Sequence, residues 1–153
     1  MDEHAMTMEP SDSMITMLSE SLLPQITRTY YALVPAFEQH MGVSRARWHI
    51  LTMLLRGGEK SQADLAQSLD VDGAAVTRQV KQLEEEGLVT RRAAPHDNRF
   101  TLVMLTPAGQ QFIEERRSRR EAFEALATNG LSDDAIAVTR RCLEHMRENL
   151  EAL

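Results

Sequence analysis

The stretch SQADLAQSLDVDGAAVTRQVKQLEEEGLV, residues 61–89, narrows the choice of folds more than any other part of the chain. Ser61 and Asp64 stand at the spacing of a capping box, in which two side chains each satisfy the other's free backbone N–H at a helix start. Ala63, Leu65, Ala66 and Leu69 then give a short apolar face. Asp70-Val71-Asp72 is too short for anything but a turn, and Asp72 is a good N-cap for a second helix. That helix carries Val76, Val80 and Leu83 at i, i+4 and i+7, and Gly87 comes after its end. The chain therefore reads here as two helices joined by a turn of three residues.

This arrangement is a helix-turn-helix. Opposite its apolar stripe, the second helix shows Ala75, Arg78, Gln79 and Gln82. Ala74 and Ala75 are small enough to let a partner approach the backbone. Arg and Gln carry the forked donors that match guanine and adenine edges in a major groove. The plain alternative is that any helix in water has a polar face. The segment C-terminal to the helix favours the first reading. Leu88–Arg92 and Phe100–Leu105 are rich in branched residues and read as two strands. They are joined by a loop over 93–98 that holds Pro95, Asp97 and Asn98. A helix-turn-helix that runs directly into such a hairpin is a winged helix, and the loop is its wing.

The flanks are helical. Residues 1–13 are polar and Met-rich, and read as a mobile tail rather than a soft-metal site of His4, Met6 and Met8. Over 14–43, Leu22, Ile26, Tyr30, Leu33, Phe37 and Met41 recur every three or four residues, Pro35 should kink the helix, and Gly42 closes it. Ser44 opens the next helix, with Trp48, Leu51 and Leu55 on one stripe, and Gly57-Gly58 ends it. GGEKS lacks the full spacing of a phosphate-binding loop. Thr106-Pro107 begins a helix expected to last to about Asn129-Gly130, and Ser132-Asp-Asp134 begins the last one. There Ile136, Thr139, Leu143, Met146, Leu150 and Leu153 form a seam that needs a partner. RRSRR, at 116–120, reads as a solvated face, because Glu115–Arg119, Arg117–Glu121 and Arg120–Glu124 are all spaced i,i+4.

Charge is distributed unevenly. The net charge of −6 argues against a nucleic-acid partner. Yet residues 1–43 hold one base and six acids, residues 44–101 nine bases and eight acids, and residues 102–153 seven bases and nine acids. Only the middle segment is not acidic, so a polyanion is permitted there. No apolar run is long enough to span a membrane. The first twenty residues carry five acids and no Lys or Arg, unlike a secretory signal. The single cysteine, Cys142, excludes an internal disulfide, and the expected location is the cytoplasm. No H-E-x-x-H motif, nucleophile elbow or carboxylate pair suggests an enzyme, and no cofactor is assigned.

The text AAVTRQVKQLEEEGLVTRRAAPHDNRFTLVMLTPAGQ, residues 74–110, follows the patterns V-T-R-x-V-x-x-L-E-x-x-G-L-V and D-x-R-x-x-x-L-x-L-T-x-x-G, the second with Val103 in place of its first leucine. It resembles the MarR family of bacterial transcriptional regulators, and with its long flanking helices the likeness covers roughly 14–153. The resemblance implies a mainly α fold with a small β-hairpin, a winged helix-turn-helix carrying long N- and C-terminal dimerisation helices. It divides the chain into a tail (1–13), an N-terminal dimerisation helix (14–43), a winged lobe (44–105) and C-terminal dimerisation helices (106–153). It implies a homodimer, held through Leu22, Ile26, Ile136, Leu143, Met146 and Leu150, on pseudo-palindromic double-stranded DNA.

The recognition helix maps to about 73–86 and the wing to about 88–105. The contact set is then Ala74, Ala75, Thr77, Arg78, Gln79 and Gln82, with Arg91, Asp97, Asn98 and Arg99 from the wing. Arg99 matches a wing-tip arginine of the minor groove, and Asp97 the acid that braces it. Two departures weaken the electrostatic grip. Asn98 stands where many relatives have a second arginine, and Glu84-Glu85-Glu86 replaces a segment that is often partly basic.

Many relatives respond to a small aromatic or phenolic effector. Tyr30, Tyr31, Trp48 and His49 could line such a pocket with Arg45 as carboxylate partner; equally, the aromatics could be core and Arg45 solvated. Cys142 reads as buried structure. It lies one turn from His145, but no third ligand clusters with them, so no metal is assigned. The leading function is a sequence-specific DNA-binding regulator, expected to be a ligand-responsive repressor. The competing reading is a winged-helix module for protein contacts, which the acidic balance favours.

Overall fold

The computed structural model describes residues 21–69, 72–95 and 97–153, and of Asp97 and Asn98 the backbone alone. The N-terminal tail with His4, Met6 and Met8, the start of the first helix over 14–20, and residues 70 and 71 of the short turn lie outside the described residues.

Helix α1 spans Leu22–Met41. Pro24 sits in its first turn, where a missing N–H removes no helical bond, and the helix continues through Pro35. Gly42 ends it in the left-handed region, at φ 65°, with its N–H donating to Glu38 O at 2.9 Å. The Glu38 carboxylate in turn accepts from the Arg45 N–H at 2.8 Å, tying α1 to the start of α2, Arg45–Gly57. Ser44 caps α2 by accepting from the Arg47 N–H.

Both helices of the helix-turn-helix start as their sequence requires. In α3, Gln62–Leu69, the Ser61 hydroxyl accepts from the Asp64 N–H at 3.0 Å and the Asp64 carboxylate from the Ser61 N–H at 3.2 Å. These bonds also hold the Asp64 carboxyl below its ordinary pKa. Asp72 caps α4, Gly73–Glu85, by accepting from the Ala75 N–H at 2.9 Å.

The sheet departs from the expected two-stranded hairpin. Strands β1 (Lys60–Ser61), β2 (Val89–Ala94) and β3 (Asp97–Leu105) lie antiparallel in the order β1-β3-β2. The hairpin also closes much nearer its tip than a 93–98 loop allows. Ala93 pairs with Thr101 and Ala94 with Asp97, so Asn98, Arg99 and Phe100 fall in an irregular step of β3 with no counterpart on β2. Turn-forming residues mark that step as loop, but the ladder bulges around it instead.

Thr106 joins the wing to the helices beyond. Its hydroxyl accepts from the Gly109 N–H at 3.0 Å and donates to Gly87 O at 2.7 Å, while its N–H donates to Leu88 O at 3.1 Å. Helix α5, Pro107–Glu115, therefore starts hard against the base of the hairpin. A Cβ on Gly109 would lie 2.2 Å from Leu88 O and 2.6 Å from Leu105 Cδ1, so only glycine fits.

The long helix expected to run from 106 to about 129 is broken at Arg116 into α5 and α6, Arg117–Ala127. The Arg116 N–H turns back to Ile113 O at 3.1 Å, a tightened turn, and α6 resumes from Arg116 O. The Arg116 guanidinium lies 3.5 Å from the centroid of the Phe112 ring and donates to Phe112 O at 3.3 Å. Its pKa is lowered, by burial first and then by Arg119. Helix α7, Asp133–Glu151, is capped by Ser132.

One core serves the lobe. Ile50, Leu51 and Leu54 of α2 meet Leu65 and Leu69 of α3, Val76, Val80 and Leu83 of α4, Leu88, Val89 and Val103 of the hairpin, and Ile113 of α5. Helices α6 and α7 contain no buried residue. Cys142, expected as buried structure, is exposed on this chain. Among the described residues no group of three or more His, Cys, Asp or Glu is arranged to hold a metal ion.

Candidate nucleic-acid interface

Burial of Val76, Val80 and Leu83 fixes which way α4 faces. Ala74, Thr77, Arg78 and Gln82 are exposed, whereas Ala75 and Gln79 are half-buried. Thr77 bonds back to Gly73 O at 2.8 Å. The Gln79 amide oxygen is buried with no hydrogen-bond partner among the described residues, so this side chain is turned further inward than a helical wheel suggests. Among the described residues no carboxylate pairs with Arg78, which leaves its fork open to a ligand.

The wing stands beside this helix. Arg99 is exposed and lies within the irregular step of β3, where a bulge re-aims side chains away from the ladder. Asp97 and Asn98 share that step by their backbone; their side chains lie outside the described residues. Arg91, grouped with the contact residues by sequence, is engaged within the chain. Its Nε donates to Glu84 Oε2 at 2.7 Å and its backbone N–H to Glu84 Oε1 at 3.2 Å. The Glu84 carboxyl is held below its ordinary pKa, first by the side-chain bond from Arg91. On the next residue of β2, Arg92 makes a two-pronged pair with Glu59, at 2.7 and 2.8 Å.

The three acids at the end of α4 are each matched by a base. Glu84 holds Arg91, Glu85 lies 3.9 Å from Lys81, and Glu86 pairs with Arg47 of α2. The first and third pairs link residues brought together by folding, which is why spacing along a helix does not reveal them. In RRSRR, the expected pairs Arg117–Glu121 and Arg120–Glu124 are formed, whereas Glu115 accepts from Gln111 at 2.9 Å.

Between the lobe and α1 and α6 lies a cavity of about 710 Å³. Tyr30, Arg45, Trp48 and His49 line it together, joined by Phe37, Thr52, Met53, Arg56, Arg120 and Phe123. Tyr31 is not among its lining residues and is 71% exposed, although its ring meets Tyr30 edge-on. The walls are aromatic: Phe37 packs edge-on against both Trp48 and Phe123. Arg45 lies 5.8 Å from the Tyr30 ring centroid. The His49 pKa is lowered, first by burial and then by Arg45 and Arg56. Glu121 and Glu124 also line the cavity, with Arg120 paired to Glu124, while Arg45 and Arg56 set cations against aromatic walls, a combination that can hold a small planar anion.

Leu22, Leu143 and Leu150, placed at a dimer seam by sequence, are 60%, 49% and 63% exposed, and Ile136 and Met146 are half-buried.

The sequence model of the MarR family matches residues 43–101. The chain is similar to the uncharacterized HTH-type transcriptional regulator YdgJ of Bacillus subtilis (strain 168), at 40% identity over 114 residues, covering 74% of this chain and 70% of that one. It is similar to the HTH-type transcriptional repressor IacR of Pseudomonas putida, at 32% identity over 108 residues, covering 70% of this chain and 64% of the relative's length. Among solved structures it resembles BpsR of Bordetella bronchiseptica, whose DNA binding is regulated by 6-hydroxynicotinic acid. The TM-score is 0.76 at 25% identity, over 84% of this chain and 99% of that one.

Proposed function

Because the chain belongs to the MarR family of transcriptional regulators, we propose that it is a homodimeric repressor that binds a pseudo-palindromic operator and is released by a small aromatic acid. One observation carries the DNA-binding part. The buried stripe of α4 forces Arg78, Thr77 and Gln82 outward beside a wing whose bulged step carries Arg99. The recognition helix meets the full major-groove code, whereas a wing in the minor groove distinguishes little beyond A·T from G·C.

Repression and effector release are carried over from relatives, IacR being named a repressor and BpsR being regulated by 6-hydroxynicotinic acid. The cavity lined by Tyr30, Arg45, Trp48 and His49 supports an effector site, because it lies where the helical arms meet the lobe. No helix among the described residues is long and apolar enough to cross a membrane, and a regulator of this kind works in the cytoplasm. The protein-contact reading is weakened because Glu84, Glu85 and Glu86 each lie against a base, which offsets the acidic charge it would draw on.

The test starts from duplexes that the protein selects out of a random pool. Arg99→Ala should lose about 1–3 kcal/mol per half-site while keeping most of the preferred sequence. Arg78→Ala should weaken binding and relax choice at one or two inner positions if it reads a base edge, or weaken all sequences alike if it holds phosphate. Equal binding by the parent and Arg99→Ala on every duplex would move the protein-contact reading ahead.

A further inference from the structure

Arg91 lies on the side of the wing that faces α4, and Arg92, the next residue on the strand, is tied to Glu59 on the loop before β1. Neighbouring residues of a strand point to opposite faces, so the two arginines serve different sides of the hairpin. The apolar base formed by Leu88, Val89 and Val103 already packs the wing into the core of the lobe. The pair between Glu84 and Arg91 adds a polar contact to a wing already packed by these apolar residues. It also occupies a guanidinium that lies beside the recognition helix. We propose that Glu84 is a built-in competitor of DNA phosphate for Arg91, and that this carboxylate sets the affinity and salt dependence of operator binding.

The proposal rests on the DNA-binding reading above. Its geometry is specific. Arg91 donates to Glu84 through Nε at 2.7 Å and through its backbone N–H at 3.2 Å, and its terminal nitrogen lies 2.5 Å from Oε2. Strand β2 is at the sheet edge, and the Arg91 N–H, directed away from β3, donates to Glu84 Oε1, which caps it. The other two acids of the triplet are engaged elsewhere, Glu85 with Lys81 and Glu86 with Arg47, so Glu84 alone of the three competes for Arg91. The side chains of Glu84 and Arg91 are 34% and 31% exposed. An ion pair so open to water contributes little, and a phosphate can displace the carboxylate. Part of the attraction is then spent in breaking the internal pair, and the net release of counterions is smaller by one contact per subunit.

The substitution Glu84→Gln isolates the charge, because the amide oxygen still accepts from the Arg91 N–H. The measurement is anisotropy titration of the parent, Glu84→Gln and Glu84→Gln/Arg91→Gln on a duplex selected by the parent, at several salt concentrations. Glu84→Gln should steepen log K against log[salt] by about 0.9 per subunit, about 1.8 for the dimer, and tighten binding roughly tenfold at low salt. Adding Arg91→Gln should return both values to near the parent's. An unchanged slope, or weaker binding by Glu84→Gln with an unaltered melting temperature, overturns the proposal. So does a gain that survives in the double variant, because loss of negative charge alone would then explain it. A parent that binds no duplex at any salt removes the DNA-binding reading itself, an outcome distinct from a parent that binds and a Glu84→Gln variant that binds no better.

Discussion

In the winged lobe, Leu51, Leu65, Val76, Val80, Leu83 and Val103 are all 0% exposed, and they come from two helices, the helix before them and the hairpin. In the arms, α6 and α7 have no buried residue, and Leu126, Leu131, Leu143 and Leu150 are between 49% and 67% exposed. Both regions have apolar residues at helical spacing. The difference lies in what covers them. The lobe closes its core within one chain, whereas α7 is a helix of 19 residues that gains almost nothing from its own chain. Helices in water are stabilised mainly by packing an amphipathic face, so such a helix must find that face's cover elsewhere. A second copy of the chain supplies it in the proposed dimer.

The sharpest way to break this comparison is to charge the arm without touching the lobe. Leu143 and Leu150 are exposed on the single chain, so aspartate at both positions costs the monomer little. In a dimer the same carboxylates would be buried without partners, at a cost of several kcal/mol. Leu143→Asp/Leu150→Asp should therefore sediment as a monomer at micromolar concentration while keeping the near-UV dichroism of Trp48. A variant that stays dimeric would mean that the seam lies elsewhere.

The opposite experiment strains the lobe and spares the arms. Gly109 touches the base of the hairpin so closely that a methyl group would meet the backbone carbonyl of Leu88. Backbone cannot swing aside as a flexible side chain can. Gly109→Ala should lower stability by about 1–3 kcal/mol, read as a lower denaturant midpoint with the slope unchanged. Helix α5 starts from this contact, and the sequence pattern L-T-x-x-G already marks the glycine. Its reason is close approach, not a left-handed conformation.

Those two regions also differ in how far their sequence can be read. In the lobe, the caps Ser61, Asp72 and Thr106 each act within four residues and the stripe Val76–Val80–Leu83 repeats at that spacing, so local rules locate them. What those rules miss depends on distant parts of the chain. Strand β1 has only Lys60 and Ser61, too short for any period, and exists because β3 offers it an edge. The break at Arg116 has no Gly or Pro to announce it; a stacked arginine and a tightened turn make it. The pairs of Glu84 with Arg91 and Glu86 with Arg47 depend on the wing and α2 folding back onto α4. Adjacency groups Tyr31 with Tyr30, yet neighbouring helical residues face about 100° apart, and only Tyr30 lines the cavity.

The smallest expected effect lies where the two regions meet. His49 of α2 faces Arg45 and Arg56 on its own helix, Tyr30 on α1, and Arg120, Glu121 and Glu124 on α6 across the cavity. Burial lowers its pKa, and Arg45 and Arg56 lower it further. The unfolded chain therefore binds this proton more readily than the folded one. Above the ordinary value of 6.5 both states are neutral and His49 contributes no pH dependence. As pH falls below that value the unfolded state is protonated first, so stability declines until the folded-state pKa is passed. Glu84 and Asp64, whose pKa values are also lowered, act in a separate window, below their ordinary values of 4.5 and 3.8. His49→Gln should accordingly flatten the stability profile just below pH 6.5 and leave the acid limb, below pH 4.5, intact. The direct check is the NMR titration of the His49 ring proton. A midpoint at or above 6.5 would mean that the carboxylates of Glu121 and Glu124, rather than the arginines of α2, set the potential in the cavity.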